Sequence, residues 1–465
     1  VTLIKSISGI RGTIGGKSGE ALTPLDIVKF IAGYATMLSL KLPENKKVII
    51  GRDARPSGKM VSDLVCATLN GMGFDVIDLG LSTTPTVEIA VPLENAAGGI
   101  ILTASHNPIQ WNALKLLNDK GEFISANEGE ELLNIVNSED FSFADVKSLG
   151  NYYTNDSYLQ KHIDLILALP SVNTKAIQSA GFKIVVDAVN SSGGIAVPML
   201  LKALGVEFVK ELNCEPTGQF AHNPEPLPEN LRQISSEMKK GDYDLGIVVD
   251  PDVDRLALIC EDGEPFGEEY TLVAVADYIL SINKKKKNTT VSNLSSTIAL
   301  KDVTIQHGGE YFSAAVGEVN VVEKMKEVDA IIGGEGNGGI IFPELHYGRD
   351  ALVGIALFLT HLANFGKPVG FLRKKYPGYF IAKKKIELEN GTDVDAILDK
   401  IKKKYSKYET DLRDGVKIYF DKEWVHLRKS NTEPIIRIYA EAEFETKADN
   451  LADKIIKDIK ELMLG

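Results

Sequence analysis

Cysteine is scarce: Cys66, Cys214 and Cys260 are the three in 465 residues, and they lie far apart with no metal-like spacing. That excludes a disulfide-built scaffold and a cysteine zinc module, and it predicts reduced core thiols. Apolar runs are short too. None nears the ~20 residues that cross a bilayer, and no stretch near the N-terminus has the pattern of a signal peptide. The expectation is a cytoplasmic protein without membrane contact. Positive charge is in deficit, 52 Lys and Arg against 64 Asp and Glu, for a net charge of −12. That balance argues against a general nucleic-acid surface. Any anion must therefore be held by a local cluster of Arg, Lys and backbone N–H groups. What remains is an ordinary globular composition, 44% hydrophobic and 25% charged. The chain is too long for one core, and about three or four domains is the natural reading.

One unit recurs. Val48-Ile-Ile-Gly-Arg-Asp53-Ala-Arg55-Pro-Ser57-Gly58 reads as a strand and a turn, followed by a helix, Gly71-Met-Gly73 and a second strand. The same order returns at Ile184-Val-Val-Asp187-Ala-Val-Asn-Ser191-Ser192-Gly193 and, more faintly, at Thr290-Val-Ser-Asn-Leu-Ser295-Ser296. Each copy predicts a βαβ unit with Ser as helix N-cap and Gly just past the helix end. The repetition points to three related α/β domains with mixed sheets. The last segment differs. A strand from Phe380, a helix from Val394 to Tyr405, strands at 416–420, 424–428 and 435–440, and a helix from Lys447 to Leu464 suggest a smaller antiparallel α+β domain. Boundaries are expected near 155, 260 and 372, giving domains 1–155, 156–260, 261–372 and 373–465.

Four polar loops carry the chemistry. In Ala97-Gly-Gly-Ile-Ile-Leu-Thr-Ala-Ser105-His106-Asn107-Pro108 a buried-type strand breaks abruptly, and Pro108 cannot extend a ladder. Ser105 thus stands where a strand runs out, the place where open α/β sheets form a ligand crevice. Asp250-Pro-Asp252-Val-Asp254-Arg255 sets three carboxylates on alternate residues. An oxygen-liganded dication is the simplest thing to hold them together. An EF-hand is excluded, because Arg255 stands where its turn needs Gly and the flanks read as strands. Ile331-Ile-Gly-Gly-Glu335-Gly-Asn337-Gly-Gly lets backbone approach a ligand, with Glu335 and Asn337 able to bracket adjacent hydroxyls. Arg428-Lys-Ser430-Asn431-Thr432-Glu433-Pro434-Ile-Ile-Arg437 reads as a phosphate cradle. Near the N-terminus, Ser8-Gly-Ile-Arg11-Gly-Thr-Ile-Gly-Gly-Lys17-Ser18 is not a P-loop, because position 11 is Arg where Gly is required. Arg11 in that glycine-rich loop remains a phosphate or sugar contact.

Together these loops resemble those of the α-D-phosphohexomutase superfamily, over essentially the whole chain. Thr103 to Pro108 is similar to the family's phosphoserine loop, and Asp250 to Arg255 to its metal loop. Gly334 to Gly338 is similar to its sugar loop, and Arg428 to Pro434 to its phosphate loop. Two departures stand out: Ala113 where the family often has Gly, and Gly339 where the sugar loop often ends in His.

The resemblance implies three α/β domains plus a smaller C-terminal α+β domain around a central cleft. It implies a phosphohexomutase that moves a phosphoryl group between O6 and O1 of a hexose through a sugar 1,6-bisphosphate. Ser105 would be the phosphoserine. Mg²⁺ would sit on Asp250, Asp252, Asp254 and the phosphoserine oxygen, and hexose 1,6-bisphosphate would act as activator. Arg11, Lys115 and Arg255 would flank the reacting phosphate, with Lys115 carrying the proton and His106 positioning Ser105. Glu335 and Asn337 would take the sugar; Arg428, Ser430, Asn431, Thr432 and Arg437 would take the distal phosphate. Glucosamine 6-phosphate to glucosamine 1-phosphate is the favoured reaction. A broad mannose and glucose phosphomutase is the alternative, and a non-catalytic sugar-phosphate binder the rival outside enzymes. The partners expected are small hexose phosphates and no nucleic acid or membrane, with a homodimer left open.

Overall fold

Among the described residues, buried β-rich runs alternating with helices build four sheets, three of them within α/β layers. The computed structural model describes residues 1–6, 9–284, 287–389, 392–430 and 435–464. By contact density the chain divides into two units, Val1–Thr271 with Asn337–Leu372, and Leu272–Gly336 with Arg373–Gly465.

The first unit holds a seven-stranded sheet. Its order is Ile4–Ser6, Gly9–Thr13, Trp111–Leu117, Gly98–Leu102, Lys47–Arg52, Asp75–Leu81 and Tyr152–Thr154. The first three pairings are antiparallel and the last three parallel, so the sheet is mixed. Gly98–Leu102 lies among them and is buried at every residue, as expected of a strand covered on both faces. Helix Pro24–Lys41 packs Ile27, Ile31 and Tyr34 onto the core formed with Val48, Ile50, Ile100 and Leu114. Tyr34 donates its hydroxyl to Leu117 O at 2.6 Å. A side chain at Gly98 would collide with that hydroxyl. A second, four-stranded sheet runs Leu256–Ile259, Leu245–Val249, Lys183–Asp187 and Phe208–Leu212, antiparallel in its first pair and parallel in the others.

In the second unit Thr289–Asn293 pairs in parallel with Glu310–Ala314 and Ile332–Glu335. The C-terminal sheet is antiparallel throughout, ordered Phe380–Glu387, Ile435–Ala442, Trp424–Lys429, Val416–Tyr419 and Glu409–Asp411. Helices Val394–Lys404 and Glu445–Leu464 bury Ile397, Ile401, Ile455 and Ile459 against one of its faces. The short strand Glu409–Asp411 has no apolar alternation, so its residues give no strand signal.

The recurring unit is present three times, and its joint is more regular than the sequence suggested. Asp53 Oδ1 accepts from Arg55 N at 3.0 Å, Asp187 Oδ1 from Val189 N at 3.1 Å, and Asn293 Oδ1 from Ser295 N at 2.9 Å. The side chain that ends each first strand thus closes the same turn. Gly73, Gly205 and Gly308 adopt the left-handed conformation just past their helices, as helix-ending glycines do. The serines do not cap. Ser57 and Ser192 occupy the N-cap positions in helical conformation without a side-chain capping bond, and in the third copy that position is Ile298. Their hydroxyls are used elsewhere. Ser57 Oγ accepts from Asn112 Nδ2 at 2.9 Å, and Ser192 donates to Pro251 O at 3.0 Å. Arg11 also departs from expectation, lying on strand Gly9–Thr13 rather than in a loop. Among the described residues no helix is long and apolar enough to cross a membrane.

Candidate active site

Strand Gly98–Leu102 ends beside strand Lys47–Arg52, and Asp53 N donates to Leu102 O at 3.2 Å. Beyond the strand, Thr103 Oγ1 donates to Asp53 Oδ2 at 2.7 Å and accepts from Ser105 N at 2.9 Å. Ser105 has φ of +48°, a left-handed conformation that few non-glycine residues adopt. Arg55 holds it there. The Arg55 side chain is completely buried, pairs with Asp53 Oδ2 at 2.9 Å, and donates to the carbonyls of Ser105, Asn107 (2.7 Å), Pro108 (2.7 Å) and Trp111 (3.1 Å). One guanidinium thus fixes the backbone of the whole serine loop.

The three carboxylates sit in the hairpin between strands Leu245–Val249 and Leu256–Ile259, so strands flank the loop as expected. Val253 turns it with φ of +63°, a strained conformation for a β-branched residue that costs about 1–3 kcal/mol and is typical of functional loops. Ser191 and Ser192 brace the loop by donating to Pro251 O at 2.7 and 3.0 Å. Asp250, Asp252 and Asp254 are fully buried, and each offers an oxygen within 4.8 Å of the others.

Ser105 faces this group. Its Oγ donates to Asp250 Oδ2 at 2.8 Å and stands 3.3 Å from His106 Nδ1. Asp250 Oδ1 accepts from the backbone N–H groups of Asp254 and Arg255 at 3.2 and 3.1 Å. Asp252 Oδ2 accepts from Thr84 Oγ1 at 2.6 Å and from Lys115 Nζ at 2.7 Å. Asp254 Oδ2 accepts from Arg349 Nη2 at 2.7 Å and from Lys115 at 3.5 Å. The remaining oxygens, Asp252 Oδ1 and Asp254 Oδ1, are buried without a hydrogen-bond partner among the described residues. Buried acceptors are normally satisfied. Two orphaned carboxylate oxygens in an all-oxygen group are what a hard divalent cation completes.

Burial and neighbouring charges shape the protonation of this group. Burial, reinforced by Asp254 and Asp252, pushes the Asp250 carboxyl well above its usual range. Burial works against Asp252 as well, but Lys115 outweighs it and holds that carboxyl low. Lys115 is held protonated despite its burial by Asp252 and Asp254. Burial, with the charge of Arg255, depresses His106 well below the ordinary imidazole value, so the ring is neutral. Glu225 stands at the edge, 3.7 Å from Arg255 and 4.0 Å from His106.

Of the residues singled out in the sequence, the first unit brings together Ser105, His106, Lys115, Asp250, Asp252, Asp254 and Arg255. Arg11 lies opposite Ala113 on the strand next to that of Lys115, and its charge acts on His106. Asn337 belongs to the same unit and turns its loop by accepting from Gly339 N at 3.2 Å. Glu335 belongs to the second unit, where it accepts from Asn293 Nδ2 at 2.8 Å and Gly317 N at 3.1 Å. In the C-terminal sheet Arg428 and Arg437 are direct cross-strand partners, and Lys385 is the next partner of Arg437. Like charges set opposite each other repel, so this row of three cations suits an anion. Arg428 Nε lies 2.7 Å from Asp414 Oδ2, without the alignment of a hydrogen bond. Ser430 N donates to Ile435 O at 3.2 Å. Asn431 and Thr432 lie outside the described residues.

Both departures from the family pattern have a local reason. Ala113 is an ordinary strand residue without positive φ, so glycine is not required. At Gly339 a side chain would meet the Arg349 stem at 2.4 Å. Arg349 therefore fills the room a histidine there would need, and brings a cation onto Asp254. Sequence reasoning missed Arg55, Thr84, Glu225 and Arg349. The available signals were slight: a charged pair at the end of an apolar strand, and Arg349-Asp350 just before an apolar helix.

The chain is similar to known proteins over nearly its whole length. Residues 3–143, 160–263 and 267–379 match alpha/beta/alpha domains I, II and III described as phosphoglucomutase/phosphomannomutase, and residues 384–458 match the C-terminal domain of the same description. A phosphoglucomutase/phosphomannomutase from Thermococcus kodakarensis is 35% identical, covering 98% of this chain and 99% of its own. A protein named probable phosphoglucosamine mutase from Pyrococcus horikoshii is 34% identical, covering 97% and 98%. The crystal structure of a phosphoglucomutase/phosphomannomutase family protein from Burkholderia thailandensis superposes with a TM-score of 0.84 at 26% identity, covering 99% of both chains.

Proposed function

The chain belongs to the phosphoglucomutase/phosphomannomutase family of phosphohexomutases, which are isomerases, and on that premise we propose that Ser105 is its phosphoryl carrier. The observation that supports this most directly is the placement of Ser105 Oγ 2.8 Å from Asp250 Oδ2, at the mouth of the carboxylate group.

In this reading Ser105 carries a phosphoryl group and gives it to the free hydroxyl of a hexose monophosphate. The P–O bond to Ser105 breaks, a P–O bond to the sugar oxygen forms, and the hydroxyl proton leaves to a base. The hexose 1,6-bisphosphate then returns its other phosphoryl group to Ser105, so phosphate has moved between O6 and O1 and the carrier is restored. Asp250, Asp252 and Asp254 would hold a Mg²⁺ ion, which would supply charge compensation for the transferring group. Arg255, Arg11 and Arg349 bring further positive charge to the pocket. Lys115 is the proton carrier in our reading. Asp252 and Asp254 hold its ammonium in place beside the carboxylate group. Neutral His106 positions Ser105 Oγ.

Glu335 and Asn337 take ring hydroxyls of the sugar, and Arg428, Ser430, Asn431, Thr432 and Arg437 take the distal phosphate. The corresponding division is a phosphoserine domain at 1–155, a metal domain at 156–260, a sugar domain at 261–372 and a phosphate domain at 373–465. Intact mass before and after phosphatase treatment should differ by one phosphoryl group in the wild type and not in Ser105→Ala. Wild-type turnover by Ser105→Ala without added bisphosphate overturns the carrier role.

For the sugar, we favour glucosamine 6-phosphate to glucosamine 1-phosphate. The Gly-Glu335-Gly-Asn337-Gly-Gly loop and the relative named "Probable phosphoglucosamine mutase" support it. The relative named phosphoglucomutase/phosphomannomutase favours a broad hexose mutase instead. Specificity constants for the 1-phosphates of glucosamine, mannose and glucose, measured in parallel, decide between them. A glucosamine value roughly tenfold below the others, about 1.4 kcal/mol in transition-state binding, selects the broad mutase.

A further inference from the structure

A second group of ligating side chains lies in the first unit, outside the carboxylate pocket. Asp350 caps helix Ala351–Phe365, its Oδ1 accepting from Leu352 N and Val353 N at 2.8 and 3.2 Å. That leaves Oδ2 facing two imidazoles, with His162 Nε2 at 2.9 Å and His346 Nε2 at 3.3 Å. His162 and Asp350 are fully buried, and His346 is partly exposed. We propose that His162 Nε2, His346 Nε2 and Asp350 Oδ2 form a second metal site, for a divalent ion of the zinc class rather than the magnesium class.

Three observations carry this. The first is spacing. Zinc bonds of about 2.0–2.2 Å to nitrogen and oxygen at tetrahedral angles set neighbouring ligand atoms about 3.3–3.5 Å apart. The His346 separation from Asp350 Oδ2, 3.3 Å, falls in that range, the His162 separation, 2.9 Å, is a few tenths of an ångström shorter, and each residue offers a ligand atom within 4.8 Å of the others. The two rings stand perpendicular, centroids 6.3 Å apart, so they converge without stacking.

The second observation is the outer support. Metal-bound histidines usually give their other N–H to an oxygen. Here His162 Nδ1 is 2.9 Å from Thr86 Oγ1, and His346 Nδ1 is 3.4 Å from the buried Glu88 Oε2. His346 Nδ1 makes no hydrogen bond among the described residues. Gly348 lets Glu88 come this close, since a side chain there would strike Glu88 Oε2 at 1.9 Å.

The third is donor chemistry. Nitrogen ligands favour zinc-class ions, whereas the oxygen-only group at Asp250 to Asp254 suits a harder one.

The site also has a place in the pocket's architecture. Thr86 and Glu88 lie on helix Thr84–Leu93, whose first residue bonds to Asp252; Asp350 follows Arg349, which bonds to Asp254. An ion here ties together the segments that hold both of those partners.

The test uses full-length chain stripped with chelator and titrated with Zn²⁺ and, separately, Co²⁺. Expected are one zinc bound through two imidazoles and a carboxylate by zinc X-ray absorption, and an intense four-coordinate Co²⁺ spectrum. Both should persist in Asp252→Asn, and zinc affinity should fall at least ~100-fold in His346→Gln, a ligand loss exceeding the usual effect of losing an outer partner. Absence of zinc binding, an all-oxygen zinc environment in the wild type, or binding lost in Asp252→Asn but kept in His346→Gln overturns the proposal. The wild-type absorption measurement stands even if His346→Gln does not fold.

Discussion

Replacing Arg55 with Met should release the serine loop. The Arg55 guanidinium is wholly buried, pairs with buried Asp53, and donates to the carbonyls of Ser105, Asn107, Pro108 and Trp111. Removing one member of a buried ion pair costs about 3–5 kcal/mol, because the other charge stays buried. The orphaned carbonyls share that cost rather than adding to it in full, since they belong to one network. The left-handed conformation of Ser105 gives the loop its own reason to relax once released. Hydrogen exchange reads this locally. Amides of Asn107 and Trp111, bonded to Ala104 O and Pro108 O, should exchange about two to three and a half orders of magnitude faster, the kinetic equivalent of ~3–5 kcal/mol. Turnover should fall with them. Arg55→Lys should recover little, since an ammonium cannot reproduce the planar fork. Asp53→Asn combined with Arg55→Met should cost less than the sum of the single changes. Exchange in Arg55→Met within about fivefold of wild type, with turnover kept, refutes the anchoring role.

The Asp252→Asn change should lower turnover by at least about two orders of magnitude, the scale of losing a principal electrostatic stabiliser. Chelator should do the same reversibly in the wild type, and full activity in excess chelator removes the dication from the mechanism. Arg428→Ala should raise KM by about tenfold to one hundredfold, as loss of a charged contact of ~1.5–3 kcal/mol implies, with kcat less affected; an unchanged KM for a monophosphate places the distal phosphate elsewhere. Glu441, pushed up from 4.5 to about 7 by burial, binds its proton more tightly folded than unfolded. Its contribution is therefore present below pH 4.5 and lost as pH rises through 7, about 3 kcal/mol in all. Since Trp424 Nε1 donates to Glu441 Oε1 at 2.6 Å, Trp424 fluorescence should titrate near pH 7 in wild type and not in Glu441→Gln. A flat wild-type signal between pH 5 and 8 refutes this.

What could be read from the sequence alone was whatever lies within a short stretch. Alternation of apolar strands with glycine-stopped helices is local, so the three βαβ units and the closing α+β segment were legible in the order of the residues. Asp250, Asp252 and Asp254 were legible for the same reason, because alternate residues of one tight loop need no long-range folding to meet. Ser105 could be placed at a strand end, and the cation row of the C-terminal sheet was half visible in Arg428 and Arg437. Strand order alone added Lys385.

Other features only the tertiary structure decided. Arg55 reaches Ser105 across 50 residues, Arg349 reaches Asp254 across 95, Thr84 reaches Asp252 across 168, and His162 reaches Asp350 across 188. A lone arginine, threonine or histidine has no period and no partner spacing by which to announce itself. Its role is set by which strands pair and which helices cover them. The serines of the repeated units show the same limit from the other side. Their position before a helix reads as a cap, but the folded chain turns their hydroxyls to partners such as Asn112 and Pro251, far away in sequence.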